Sequence, residues 1–423
     1  MNIINKKLIN EIKKELIDEE TPCYVYDLNE IKNRINYVTK NMPDNFRLYY
    51  AIKANPNKTI LDYIKKQEKI SGFEIASSGE LDKALNYCNS REILYTGPAK
   101  TNNELIIAIK NNIRLINVES VVEAIRINDI AAKQNKKVDI LIRVNMNYKI
   151  ADAAENMGGL STKMGIDEDK YLESYKIISS LPYLNIKGIH VFSASGILNY
   201  KSGIEYAKYV FKMVQLYEKQ GDKIEIIDLG GGFGVDYTDS NREFDCCKYF
   251  KEIKALIKQY SYQNKEFILE LGCYLVASCG YYLAKIIDIK ESKNYKHIIL
   301  AGGLNHIPTA TLNGKHPFFI INYDHEKLYE KQIQVTNEKC DIDGPLCTAE
   351  DQVLWDVFVT KASIGDVVVI KQAGAYCYSA AWLEFLSHEY PYEFIYDENK
   401  KVRRWEYAKW VTKRYIKKSF DDH

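Results

Sequence analysis

A small set of residues in this chain carries groups that could do chemistry together: Lys53, Glu74, Arg143, His190, the glycines 230–232 and Glu270. Lys53 ends the apolar run RLYYAIKAN (47–55), which should carry its amine into a buried site. Burial disfavours the charged form of an amine, lowers its pKa and makes it nucleophilic toward an aldehyde. The run DLGGGFG (228–234) lets backbone N–H groups approach an anion closely, which suits a phosphate. Glu270 could pair with a protonated ring nitrogen, and His190 could lie flat against the ring. Read singly, each has a plainer explanation: a solvated lysine, a tight turn, a loop carboxylate, a hydrogen-bonded core histidine. Their common placement argues otherwise.

All of them fall at the ends of strand-like segments. Short apolar runs recur at 47–53, 72–76, 93–96, 115–118, 139–144, 187–192, 225–229 and 267–270. Helical patterns lie between them, among them Glu80 to Tyr87, Asn103 to Lys110, Ser120 to Lys133 and Tyr206 to Lys219. Eight strand-then-helix units predict an α/β fold, a (β/α)8 TIM barrel, whose functional groups sit at the C-terminal strand ends. A long loop or lid is expected from Ile150 to Lys163. After residue 275 the texture becomes β-rich, as in Lys296 to Leu300, Asp366 to Gln372 and Glu393 to Tyr396, and Cys23 to Tyr26 also reads as a strand. The expected domains are a barrel over 28–275 and a β-rich domain built from 1–27 and 276–423.

Bulk properties exclude several classes. The 423 residues are 46% hydrophobic and 27% charged, the balance of a globular protein large enough for two cores. Met1 to Glu20 reads as an amphipathic helix and not as a signal peptide, and no run is apolar for long enough to cross a bilayer. Nine cysteines without paired spacing argue against disulfides and zinc, and point to a reducing cytoplasm. A net charge of +1 favours neither nucleic acid nor a membrane surface as partner.

The segments YAIKAN (50–55), GIHV (188–191), LGGGFG (229–234), GPLC (344–347) and AGAY (373–376) resemble those of fold-type III pyridoxal-phosphate decarboxylases, the ornithine and diaminopimelate decarboxylase family. The likeness runs in order from about Thr21 to Tyr396. It implies pyridoxal 5'-phosphate as cofactor, with Lys53 binding its aldehyde, His190 stacking on its ring and Glu270 pairing with its nitrogen. Ser193, Gly231, Gly232 and Tyr376 would hold its phosphate end. Glu74, Glu80 and Arg143 would organise the lysine and the ring. Cys347 would reach across a head-to-tail homodimer and, with Lys53 and His190, do the chemistry: loss of the α-carboxylate, then return of a proton to the α-carbon. Asp351, Asn313 and Tyr376 are expected to face the substrate. A racemase is disfavoured because that class sets an arginine against the ring nitrogen, and a non-catalytic binding homologue because Lys53, His190, Glu270 and Cys347 are intact.

Departures from the family pattern bear on the substrate. Diaminopimelate decarboxylases carry a glutamate after the cysteine, where this chain has Thr348, and an arginine in the segment that here reads GGLNHIPT (302–309). The acidic residue of ornithine-type enzymes meets the neutral-to-basic stretch Leu312 to Lys315. MGGL (157–160), HVFSASGILN (190–199), GPLCTAED (344–351) and FLSH (385–388) resemble instead the butirosin-pathway branch, which acts on a γ-glutamyl group tethered to an acyl carrier protein. A masked distal end would need no counter-charge. Lys400, Lys401, Arg403, Arg404, Lys409, Lys413, Arg414, Lys417 and Lys418 against Glu406 suggest a basic C-terminal helix, with Trp405, Ala408, Val411 and Tyr415 inward, that could dock an acidic carrier protein. The family's Glu-Pro-Gly-Arg is here Glu270-Leu-Gly-Cys273, which removes a positive charge.

Overall fold

A computed structural model describes residues 6–16, 20–150, 153–238, 243–313, 316–323, 332–397 and 400–404. The chain divides into two compact units, one of Lys32–Asp236 with Arg242–Leu275 and one of Met1–Ile31, Tyr237–Asn241 and Val276–His423.

The first unit is a closed barrel of eight parallel strands: β1 (Phe46–Ala51), β2 (Ile70–Ile75), β3 (Ile93–Tyr95), β4 (Leu115–Val118), β5 (Val138–Asn145), β6 (Leu184–Val191), β7 (Ile226–Asp228) and β8 (Glu266–Leu271). Each pairs with the next, and β8 returns to β1 through partners such as Glu270 with Tyr49. These strands read as near-continuous apolar runs because both faces are covered, one by helices and one by the barrel interior. Tyr49, Leu94, Leu115, Leu141 and Ile268 form one interior cluster.

The strand exits turn into helices through short polar caps. Ser77 accepts from Glu80 N, Thr101 and Glu104 form a capping box, and Ser120 accepts from Glu123 N. Each cap satisfies amide groups that the first helical turn leaves open, and so fixes where a strand end stops and its helix begins. The expected long loop carries the two-residue strand Glu155–Asn156, paired antiparallel with Ala194–Ser195. Met157 N and Gly158 N both donate to Ser193 O, at 2.7 and 2.9 Å, so the loop is strapped to the segment after β6.

In the second unit Cys23–Asp27 pairs antiparallel with Gly280–Ser292 and parallel with Tyr392–Asp397, inside one large sheet. Helix Lys6–Leu16 buries Leu8 and Ile12 against Val25, Leu283, Val369 and Phe394. The expected basic helix starts differently: Lys400–Arg404 is a strand, pairing Arg404 with Phe394 and Arg403 with Ile395. Backbone pairing with the Tyr392–Asp397 strand determines its conformation there. The rest of that expected helix, from Trp405 onward, lies outside the described residues. Among the described residues no helix is long and apolar enough to cross a membrane.

Candidate active site

The mouth of the barrel gathers most of the expected groups. A single turn, Ile52–Ala54, follows β1 and presents Lys53, whose Nζ donates to Glu74 Oε1 and Oε2 at 3.1 and 3.0 Å. Strand pairing of Ala51 with Glu74 sets these two side by side. Glu74 is fully buried, whereas the Lys53 side chain is 44% exposed. Burial of Lys53 itself, expected from the apolar run, is therefore not what activates it. Its setting is an ion pair with a buried carboxylate. Burial pushes the Glu74 pKa up to about 7 against the pull of Lys53, and Glu270 adds to the rise. Glu80, also raised by burial, accepts from Ala76 N at 2.7 Å, which fixes the turn after β2.

Deeper in the mouth, His190, Asp228 and Glu270 come from β6, β7 and β8, with ligand-type atoms all within 4.8 Å of one another. His190 Nε2 lies 3.4 Å from Glu270 Oε2. Neither ring nitrogen of His190, nor Asp228 Oδ2, has a hydrogen-bond partner. Burial lowers the His190 pKa against the pull of Glu270. Burial and the nearby Glu270 raise Asp228 well above the usual carboxylate range. For Glu270 burial works against ionisation, but His190 and Lys53 more than offset it and hold the pKa below normal. Two adjacent carboxylates are thus pushed in opposite directions, Asp228 up and Glu270 down.

Asp228 Oδ1 also accepts from Gly230 N at 2.9 Å, which shapes the glycine loop. A Cβ on Gly231 would lie 2.1 Å from Glu270 O, and one on Gly232, at φ +89°, would lie 2.5 Å from Ala194 O. Only glycine lets this loop pass so close to its neighbours. Ser193 is buried and hydrogen-bonded to Tyr206. Arg143 Nη1 donates to Glu119 Oε1 at 2.7 Å, and both side chains are buried.

Several groups here were not singled out in the sequence. Glu119 also accepts from Gly97 N and Gly165 N, at 3.1 and 2.8 Å, tying two strand exits to Arg143. Lys100 and Glu123 form a buried pair behind it at 3.1 Å. Thr96 Oγ1 and Asn117 Nδ2 reach Glu270 Oε1 at 3.3 and 3.5 Å. Asn117 was detectable: it interrupts the buried apolar strand Leu115–Val118.

In the β-rich unit Cys347 is exposed in the loop 344–351. Asp351, expected to face substrate, instead turns inward: its Oδ1 accepts from Leu304 N at 2.6 Å and its Oδ2 from Leu346 N at 2.7 Å. Its geometry is that of a loop organiser, because two backbone donors already engage its oxygens. Asn313 ends the helix Pro308–Asn313. Tyr376 is half-buried and, like Gln372, has a left-handed backbone, φ 56° and 58°. Non-glycine residues rarely adopt that conformation outside constrained sites.

An amine paired with a buried carboxylate, an ionised carboxylate beside an unpartnered imidazole, and a loop only glycine can form fit a phosphorylated pyridine aldehyde. Residues 28–277 match the family "Pyridoxal-dependent decarboxylase, pyridoxal binding domain". The chain is 32% identical over 395 residues to the Staphylococcus aureus 2-[(L-alanin-3-ylcarbamoyl)methyl]-2-hydroxybutanedioate decarboxylase, covering 92% of this chain and 98% of that protein. It is also 32% identical over 381 residues to the L-glutamyl-[BtrI acyl-carrier protein] decarboxylase of Niallia circulans, covering 89% of each. The crystal structure of Helicobacter pylori diaminopimelate decarboxylase complexed with L-lysine superposes with a TM-score of 0.82 at 26% identity, covering 95% of this chain and 99% of that one. Two carboxylates and an imidazole at this spacing would also suit a small cation, but the family match assigns the pocket to pyridoxal.

Proposed function

The chain belongs to the pyridoxal-dependent decarboxylases, and on that premise we propose that it removes the α-carboxylate of an L-amino acid whose far end is already joined to a second group by an amide or thioester. The carrying observation is the loop after Cys347. Thr348 stands where a distal ammonium would need a carboxylate, Glu350 accepts from the Thr348 hydroxyl, and Asp351 is bonded inward. A distal ammonium would meet a hydroxyl at Thr348, and the carboxylates of this loop already accept from Thr348, Leu304 and Leu346. The relatives' names support the reading, since one describes an alanin-3-yl group in amide linkage to a hydroxy acid and the other a glutamyl group on a carrier protein.

Pyridoxal phosphate, when bound, supplies a ring that accepts the electron pair left by departing carbon dioxide. The chain's own residues do the rest. Lys53 would hold the cofactor by its aldehyde, and Glu74, bonded to Nζ, would exchange protons there near neutrality. Glu270, held below the usual carboxylate range, would pair with the ring nitrogen, and the glycine loop with Ser193 would hold the phosphate. Arg143, fixed by Glu119, would help to position the ring. Cys347, exposed in this chain, acts as the proton donor to the α-carbon in the site of a second copy. The basic residues of the sequence from Lys400 to Lys418 support an acidic carrier protein as the second group.

The test is carbon dioxide release, followed by product mass, from a panel: diaminopimelate, ornithine, lysine, an Nβ-acylated 2,3-diaminopropionate, and glutamate as a thioester on an acyl carrier protein. A masked substrate should exceed every free diamino acid by about 100-fold in kcat/KM, the scale of two lost charge-assisted bonds. Diaminopimelate as the best substrate would overturn the proposal, and the two masked probes separate a small-molecule partner from a carrier.

A further inference from the structure

Inside the barrel one polar group stands where only packing is needed. Asn117 is fully buried in β4, between apolar neighbours of an otherwise apolar strand. Its Nδ2 donates to Thr96 Oγ1 at 2.9 Å, and the Thr96 hydroxyl, itself buried, lies 3.3 Å from Glu270 Oε1. The Asn117 amide oxygen has no partner. An unpartnered buried acceptor lowers stability, so an aliphatic side chain would serve the fold better. The donors, by contrast, have an evident target: amide to hydroxyl, hydroxyl to carboxylate, each bond polarising the next.

We propose that Thr96 and Asn117 are positioning residues that hold Glu270 by Oε1, fixing the carboxylate for its pairing with the cofactor's ring nitrogen. Thr96 follows β3 directly and Asn117 lies within β4, so two strands across the barrel steady a residue of β8. Glu270 Oε2 is left beside His190 Nε2. A carboxylate anchored by one oxygen loses rotational freedom before the cofactor arrives, and a loosely held one would pair less well. The inference rests on the cofactor and not on the identity of the substrate, so it stands or falls separately from the substrate proposal.

The discriminating probe is the cofactor itself against its 1-deaza analogue, in which a C–H replaces the ring nitrogen. Dissociation constants of both would be measured by fluorescence titration for wild type, Thr96→Val, Thr96→Ser and Asn117→Leu, with thermal midpoints of each protein alongside. Thr96→Val and Asn117→Leu should weaken pyridoxal phosphate roughly tenfold, the scale of one hydrogen bond to a charged group, and the deaza analogue by less than about twofold. Thr96→Ser should restore most of the loss. Asn117→Leu should melt no lower than wild type. Equal losses for the two probes, or an Asn117→Leu protein that melts lower and binds pyridoxal phosphate normally, would make the pair a structural feature and refute the assignment.

Discussion

Replacing Glu74 by glutamine should stabilise the apoenzyme, and only at the upper end of the pH range. Glu74 is fully buried, and its pKa rises from 4.5 to about 7. A carboxyl whose folded pKa exceeds its unfolded value contributes stability that is present at low pH and lost as pH climbs through the folded value. At 1.36 kcal/mol per pKa unit, a rise of this size corresponds to about 3 kcal/mol of lost stability by pH 8. Glutamine, with nearly the shape of the protonated acid and no charge, does not incur that loss. Lys53 would lose the Glu74 contact, but its side chain is 44% exposed, so water can take that role at little cost. The gain in urea unfolding should be about 3 kcal/mol at pH 8 and under about 1 kcal/mol at pH 5. Activity should move the other way, because Lys53 loses the group that places it and exchanges its proton. Equal effects at the two pH values, or a loss of stability at pH 8, would show that Glu74 is not a strained buried charge and would undo the account of Lys53.

Other positions test the remaining geometry. Gly231→Ala would set a Cβ 2.1 Å from Glu270 O, forcing β7 and β8 apart. Stability should fall by about 2 kcal/mol or more and cofactor affinity with it, read by thermal unfolding and cofactor absorbance. Normal affinity in a stable variant would mean that the loop yields more easily than the contact implies. Asp351→Ala removes the acceptor for Leu304 N and Leu346 N and should cost about 3 kcal/mol in denaturant unfolding. Wild-type stability with lost turnover would return Asp351 to the substrate-binding role read from the sequence.

The barrel was legible because parallel strands buried on both faces leave apolar runs that polar caps punctuate, so the eight segments emerged with errors only at their ends. The strand-end placement of Lys53, Glu74, Arg143, His190 and Glu270 was legible for the same reason. What escaped depends on distances between segments. Nothing local to Thr96 or Asn117 says that 174 and 153 residues later in the chain a carboxylate will lie against them. Exposure of Lys53 escaped as well, because an apolar approach strand says little about the turn that follows it. The basic run at Lys400 differs at its start, where pairing with the Tyr392–Asp397 strand sets the conformation of Lys400–Arg404, while the expected stripe from Trp405 onward lies outside the described residues. The same division applies to the chemistry. Side-chain identity singles out these carboxylates, but the opposite shifts of Glu270 and Asp228 are set by burial, by each other and, for Glu270, by His190 and Lys53, none of which is written in either residue's neighbourhood in sequence. Exchanging the two environments, while keeping every catalytic residue, would be enough to leave the ring nitrogen without its counter-charge.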